Sequence, residues 1–170
     1  MKKFFAVIVV SVAFAGVSGA QQLSDTAAGT ASATVITPIA ISAGNDLLFG
    51  TFAVDAANGG SVSIAANGSR TATASYIDLA SSSVGAATFS ISGQASTTYS
   101  YSVANATLLS GGDSMAATLQ GLSSSTSNAA TGTLTAGGVD TITVFGSLAV
   151  DAAQPVGAYS GDFDVTVSYN

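Results

Sequence analysis

The last fourteen residues of the chain alternate between apolar and polar side chains. The odd positions are Gly157, Tyr159, Gly161, Phe163, Val165, Val167 and Tyr169. The even positions are Ala158, Ser160, Asp162, Asp164, Thr166, Ser168 and Asn170. Because a β-strand points successive side chains to opposite faces, this pattern predicts a strand with one apolar and one wet face. A terminal strand is prone to fraying, so one this regular predicts a neighbouring strand on each of its edges.

Further strands are predicted by the same period of two. The apolar members of these runs are Val35, Ile39 and Ile41; Val62 and Ile64; Ala87, Phe89 and Ile91; Tyr99, Tyr101 and Val103; and Ile142, Val144, Leu148 and Val150. Turn signals such as Asn58-Gly59-Gly60 and Asn67-Gly68 separate the runs. Beyond the N-terminal leader no helical periodicity is sustained, so we expect an all-β fold, an antiparallel β-sandwich.

The N-terminus has the pattern of a secretory signal peptide. Lys2 and Lys3 precede an apolar run over residues 4–15, and Ser18-Gly19-Ala20 supplies the small residues of a cleavage site. The apolar run is shorter than the roughly 20 residues that span a bilayer, although an N-terminal anchor is the alternative. We therefore predict a signal peptide over 1–20, an N-terminal extension over 21–32 and a sandwich domain over 33–170, with no membrane insertion after cleavage.

Composition excludes several classes of function. The chain has no cysteine, histidine or glutamate, so we expect no zinc or iron–sulfur site, no disulfide and no histidine-dependent triad. The chain has nine aspartates and only three basic residues, and Arg70 is the one cation that remains once the leader is removed. This balance argues against nucleic acid as a partner. We expect no cofactor and no enzymatic activity; a hydrolase with an aspartate-only site would need two buried carboxylates in one cleft.

Three other features have a plain structural interpretation beside a functional one. Asp162 and Asp164 resemble calcium ligands, but they lie on the predicted wet face of a strand. Arg70 suits an anion, yet it lies beside a turn. Tyr99 and Tyr101 suit a sugar-binding patch, but at this spacing tyrosines more often pack within a sheet. In each case we favour the structural interpretation.

The chain's ending resembles the C-terminal motif of chaperone–usher pilins, in which a glycine is fourteenth from the end and a tyrosine is penultimate. Here these are Gly157 and Tyr169. The chain also resembles the spore coat protein U-like, archaic pilin group, and is most similar to a related family of uncharacterised exported bacterial β-sandwich domains. The motifs that carry this resemblance are Ala33-Thr34-Val35-Ile36-Thr37-Pro38-Ile39-Ala40-Ile41, Asp46-Leu47-Leu48-Phe49-Gly50 and Gly146-Ser147-Leu148-Ala149-Val150.

The resemblance implies an immunoglobulin-like sandwich that lacks its final strand. In such pilins a periplasmic chaperone lends the missing strand, and an outer-membrane usher exchanges it for the extension of the next subunit. It thus implies export through the periplasm to the cell surface, as a subunit of a pilus-like filament or coat. The expected contact residues are Gly157, Tyr159, Phe163, Val165, Val167 and Tyr169. The candidate donor strand comprises Leu23, Ala27, Ala31, Ala33 and Val35.

Two alternatives remain open at this point. The groove could be filled by the chain's own tail and not by another copy or a related subunit. The protein could also be a monomeric, adhesin-like binding module at the cell surface or in the periplasm, with a complete sandwich and no polymerisation.

Overall fold

The computed structural model describes residues 24–73, 76–78, 82–126 and 130–170, with backbone alone at 76–78. The predicted signal peptide and Leu23 lie outside these residues. The chain divides into two units, Met1–Thr34 and Val35–Asn170. In the first, the described residues 24–34 are exposed and lie outside any strand. The described residues contain no helix that is long and apolar enough to cross a membrane.

Twelve strands form from the described residues of the second unit. They are β1 (Ala40–Ala43), β2 (Phe52–Val54), β3 (Gly60–Ile64), β4 (Arg70–Ala72), β5 (Tyr76–Asp78), β6 (Ala87–Ser92), β7 (Thr98–Val103), β8 (Ala106–Ser110), β9 (Asp113–Ser123), β10 (Thr131–Thr133), β11 (Val139–Val150) and β12 (Val165–Tyr169).

The larger sheet is built around β11. Residues 139–144 of β11 pair with β6 and residues 146–150 pair with β3, both along one edge. Residues 142–148 pair with β9 along the other edge. Strands β1, β4 and β8 extend the sheet beyond β6, β3 and β9, and every pairing is antiparallel. The middle of β11, residues 142–144 and 146–148, therefore has a paired neighbour on each side.

A smaller sheet has the order β10-β7-β12, and β2 and β5 form a separate two-stranded ribbon. The two main sheets approach closely where Gly121 of β9 faces β7: a Cβ at Gly121 would lie 2.6 Å from the ring of Tyr101. The absence of a side chain at Gly121 therefore makes room for this ring.

The core lies between the two sheets, and the period of two predicts its members well. Ile142, Val144, Leu148 and Val150 of β11 are all buried, as is Tyr99 of β7. Since the inward residues of both sheets interdigitate in one layer, this arrangement is an antiparallel β-sandwich. The predicted fold class is confirmed.

The prediction of one continuous strand from Gly157 to the C-terminus is wrong. Residues 157–161 lie along the outer edge of β8, where Ser160 forms an isolated bridge with Leu109 of that strand. Only from Val165 does the chain pair with β7 of the smaller sheet. A Cβ at Gly161 would lie 2.2 Å from the carbonyl oxygen of Thr107, so this close approach requires glycine. The alternation continues while the hydrogen-bonding partner changes from one sheet to the other.

Candidate functional site: the open edge of the C-terminal strand

The C-terminal strand β12 has a partner on one edge. It pairs antiparallel with β7 from Val165 opposite Val103 to Tyr169 opposite Tyr99. No strand of the described residues pairs with its other edge. The prediction of a neighbour on each side is therefore half right for the part of the chain that the structure describes.

The direction of the backbone groups on β12 follows from its ladder with β7. Two hydrogen bonds flank the strand, from Ala104 N to Asp164 O (2.9 Å) and from Asn170 N to Thr98 O (3.5 Å). Hydrogen-bonded and non-hydrogen-bonded pairs alternate in an antiparallel ladder, so the even residues of β12 bond to β7. The N–H and C=O groups of Val165, Val167 and Tyr169 therefore point to the opposite edge, which we call the open edge.

The side chains of these same three residues face the core but are only partly covered. Val165, Val167 and Tyr169 are each half-buried, whereas Tyr99 on the neighbouring strand β7 is 0% exposed. Because both strands present the same face to the larger sheet, exposure rises from β7 towards the open edge. The sandwich is thus less completely covered at β12 than at its centre.

The remaining predicted contact residues, Gly157, Tyr159 and Phe163, lie in the segment that precedes β12. The ring of Phe163 packs edge-on against Phe89 of β6, with centroids 5.9 Å apart, and so joins the two sheets. Tyr159 is half-buried, and its hydroxyl donates to the carbonyl oxygen of Pro155 and accepts from the Gln154 side chain, each at 2.9 Å. A Cβ at Gly157 would lie 2.3 Å from the hydroxyl of Ser110 in β8.

Tyr169 ties the end of β12 to the segment that precedes β1. Its hydroxyl donates to the carbonyl oxygen of Thr37 (2.8 Å) and accepts from the backbone N–H of Gln94 (2.6 Å). A Cβ at Gly93 would lie 2.2 Å from this hydroxyl, so glycine at that position lets the ring approach. The penultimate tyrosine therefore fixes where the first and last segments of the domain meet.

The first predicted strand is also incompletely covered. β1 pairs with β6 alone among the described strands, and all four of its side chains are exposed, including Ile41. Ile39 is half-buried and packs against the core. Of the predicted apolar residues Val35, Ile39 and Ile41, Ile39 alone packs against the core, and the strand begins only at Ala40.

The candidate donor residues lie at or before Val35, where the first predicted strand begins. Ala27, Ala31 and Ala33 are exposed and lie outside any strand. Val35, the first residue of the second unit, is 95% exposed. Leu23 lies outside the described residues.

Strand β11 contains a buried carboxylate that the residue patterns did not predict. Asp140 is 6% exposed, and its Oδ2 accepts hydrogen bonds from the hydroxyls of Tyr99 (2.8 Å), Ser123 (2.7 Å) and Ser125 (2.7 Å). Its Oδ1 accepts from the Ser124 hydroxyl and from the backbone N–H of Thr141. Its burial could have been predicted from parity, since Asp140 lies on the same face of β11 as the buried Ile142 and Val144.

These hydrogen bonds determine the charge state of Asp140. Burial alone would raise the pKa of this carboxyl, but the hydroxyl donors Ser123–Ser125 and Tyr99 outweigh burial and lower it to about 2. Burial and the hydrogen bond to Asp140 raise the pKa of Tyr99 well above its ordinary value. The pair is thus an ionised carboxylate and a neutral phenol, and it joins β11 of the larger sheet to β7 of the smaller one.

A cavity of about 510 Å³ adjoins this carboxylate and is lined mainly by serine and threonine side chains. Both oxygens of Asp140 already accept hydrogen bonds from the protein itself, and the bond from Tyr99 joins the two sheets. Among the described side chains Asp140 is the one buried carboxylate, and no three metal-ligating side chains lie together.

The minor candidates differ in their surroundings. Tyr99 and Tyr101 are buried between the sheets, and Asp162 and Asp164 are exposed. The guanidinium of Arg70 donates to the carbonyl oxygens of Phe49 (2.8 Å) and Thr51 (3.3 Å) and so braces the loop before β2.

Comparison with known proteins places the domain in a family. No curated protein matches the sequence. Residues 39–169, which include β1, Asp140 and the whole of β12, match a family described as a domain of unknown function. The match covers most of the chain and nearly all of its second unit. The protein therefore belongs to the DUF4402 domain family.

Proposed function

We propose that this protein is an exported structural subunit of a surface filament or coat, in which a strand from another molecule pairs with the open edge of β12. The observation that carries the proposal is the state of β12 itself. Its inward side chains are half-buried, and the backbone groups of Val165, Val167 and Tyr169 point to an edge that no described strand covers. The resemblance to archaic chaperone–usher pilins supports the same interpretation.

An added strand would gain free energy from two sources. Each backbone hydrogen bond at the open edge contributes about 1 kcal/mol net. Completing the burial of a valine or tyrosine that is already half covered contributes about 1 kcal/mol more per side chain. The three residues together support a gross gain on the order of 5–10 kcal/mol before the entropy of ordering the donor is subtracted.

The chain's own N-terminal extension has the composition of such a donor. Alternation begins at Gly29, with Ala31, Ala33 and Val35 on one parity and threonine or serine between them. Over residues 21–35 the one charged side chain is Asp25. Because alanine buries little area, pairing through this extension would depend more on backbone hydrogen bonds than on deep side-chain pockets.

No lysine protects the open edge. After the predicted cleavage the protein has no lysine at all, although charged side chains, lysine above all, commonly block exposed strand edges in monomeric proteins. The wet face of β12 carries Thr166 and Ser168, which are neutral. Charge therefore offers little opposition to the approach of a second strand.

The proposal is tested by appending residues 21–35 after Asn170 through a short turn-forming linker, so that the copied segment can return along β12. We expect the free energy of unfolding to rise by about 3–5 kcal/mol, because the added strand fills the open edge. Urea denaturation of the mature protein, meaning residues 21–170, and of the appended variant measures the difference. The appended variant should also remain monomeric in gel filtration at concentrations where the mature protein assembles.

A matched control is the same appended variant with Ala31→Asp and Val35→Asp in the added copy. Charges at inward positions cannot be buried without a partner, so we expect this control to lose the gain in stability. If the appended variant is no more stable than the mature protein, and the latter folds reversibly as a monomer, the proposal is wrong. That outcome would favour the monomeric binding module.

A further inference from the structure

Two Asn–Gly pairs occur in the sequence, and the structure places them in different environments. Asn58-Gly59 lies between β2 and β3, and Asn67-Gly68 lies between β3 and β4. Both asparagines are exposed. We propose that Asn58 is a site of spontaneous deamidation, whereas Asn67 is protected by the turn that contains it. This inference is independent of the proposed function.

The chemistry needs only the protein and water. The deprotonated backbone nitrogen of Gly59 attacks Cγ of Asn58, a new C–N bond forms, and the C–N bond of the carboxamide breaks with release of ammonia. Water then opens the cyclic imide at either of its two carbonyls and leaves aspartate or isoaspartate. One water is consumed, one ammonia is released, and the protein gains one negative charge. A following glycine favours the attack because its lack of a side chain leaves the nitrogen accessible and the backbone mobile.

The two glycine nitrogens differ in their hydrogen bonds. Gly68 N donates to the carbonyl oxygen of Ala65 (2.8 Å), and Gly68 is held at a φ of +78°. The Asn67 Oδ1 accepts from the backbone N–H (3.0 Å) and the hydroxyl (2.7 Å) of Ser69. Both reacting groups at this pair are therefore held apart, and the turn must open before they can meet.

No comparable restraint is present at Asn58 among the described residues. Asp55 Oδ1 accepts from the backbone N–H of Asn58 (3.1 Å), whereas the Asn58 carboxamide and the Gly59 nitrogen make no hydrogen bond to any described residue. Residues 58 and 59 lie in neither a turn nor a strand. The side chain is therefore able to rotate onto the Gly59 nitrogen in the folded protein.

The product would alter one end of the ladder between β3 and β11 in the larger sheet. Gly59 lies against the backbone at the end of β11, since a Cβ there would be 3.0 Å from the carbonyl oxygen of Val150. Gly60 then pairs with Val150 at the start of β3. Isoaspartate adds one carbon to the backbone immediately before this pair, and either product places a new carboxylate near Asp55. We expect a modest loss of stability on conversion.

The experiment is incubation of the mature protein in mildly alkaline buffer, with and without urea, followed by peptide mapping for aspartate and isoaspartate. In the folded protein we expect Asn58 to convert about tenfold faster than Asn67, because one local hydrogen-bonded turn must open at Asn67. In urea the two pairs should convert at similar rates. Asn58→Gln is the control, since it should keep the fold and lose the early gain of negative charge.

Equal rates at the two asparagines in the folded protein would overturn the proposal. Slower conversion at Asn58 than at Asn67 would overturn it as well. So would an Asn58 that stays intact in the folded protein while both pairs convert in urea.

Discussion

Strands β11 and β12 have the same sequence pattern and different surroundings. In both, every second residue faces the core, and these residues are apolar except for Asp140 and Gly146 of β11. β11 has paired neighbours along both edges, and its Val144 is 0% exposed. β12 has a paired neighbour along one edge, and its Val167 is half-buried. Alternation therefore determines which face a residue takes, while the neighbouring strands determine how completely that face is covered.

The largest expected effect is the loss of the buried carboxylate in β11. Asp140→Ala should lower the free energy of unfolding by about 3–5 kcal/mol, because four hydroxyl donors would lose their acceptor inside the sandwich. Asp162→Ala, near β12, should change it by less than about 0.5 kcal/mol because that side chain is exposed. Urea denaturation of both variants measures the contrast. Similar losses in the two variants would mean that the Asp140 network does not join the sheets.

Proline substitutions separate the two edges of β12. Ser168→Pro removes an N–H that points to β7 and should cost about 2–3 kcal/mol. Val167→Pro removes an N–H at the open edge and should cost about 1 kcal/mol, mostly from the lost side chain. In the appended variant, Val167→Pro should in addition reduce the gain in stability. Equal costs for the two prolines in the mature protein would show that both edges of β12 are already paired.

A matched pair of valines measures coverage directly. Val144→Ala should cost about 2 kcal/mol because it leaves a cavity in a fully covered face. Val167→Ala should cost about half as much in the isolated protein and more once a donor strand is present. Denaturation of each variant, with and without the appended segment, gives four comparable values. If Val167→Ala costs the same free energy of unfolding with and without the appended segment, the added strand does not lie at the open edge.

The smallest effect concerns pH. Since the pKa of Asp140 is lowered from 3.8 to about 2 in the folded protein, its contribution to stability is complete above the ordinary value. That contribution is lost as the pH falls from about 4 towards 2, and it amounts to about 1–2 kcal/mol after allowance for solvent screening. Asp140→Asn should be less stable than the wild type at neutral pH and should flatten this acid-side decline. Denaturation midpoints measured across that range would show it, and an unchanged slope in the variant would assign the decline to other carboxylates.

Much of the fold could be predicted from residue patterns. The inward residues of β6, β7 and β11 follow from parity alone, because the two faces of a strand alternate without exception in a regular ladder. The same rule could have located Asp140, which shares the parity of Ile142. It was missed because a charged residue is ordinarily assigned to solvent. The pattern could not show that hydroxyls from β7 and β9 would surround it.

Residues 157–169 mark the limit of such prediction. Their alternation is unbroken, yet residues 157–161 follow β8 and residues 165–169 follow β7. Nothing in the alternation distinguishes these halves, since it records the face of each side chain and not the partner of each backbone group. The glycines at 157 and 161 were recognisable, but their use in a close approach to β8 depends on where that strand lies.

The class of fold and the inward face of most strands follow from the residue pattern, and the lack of cysteine and histidine follows from composition. These are properties of each residue and of its nearest neighbours along the polypeptide. The enclosure of β11, the stabilisation of an ionised Asp140 between the sheets and the open edge of β12 follow only from how the strands pack. Each of these depends on strands far apart in the sequence, whose order a local pattern does not encode.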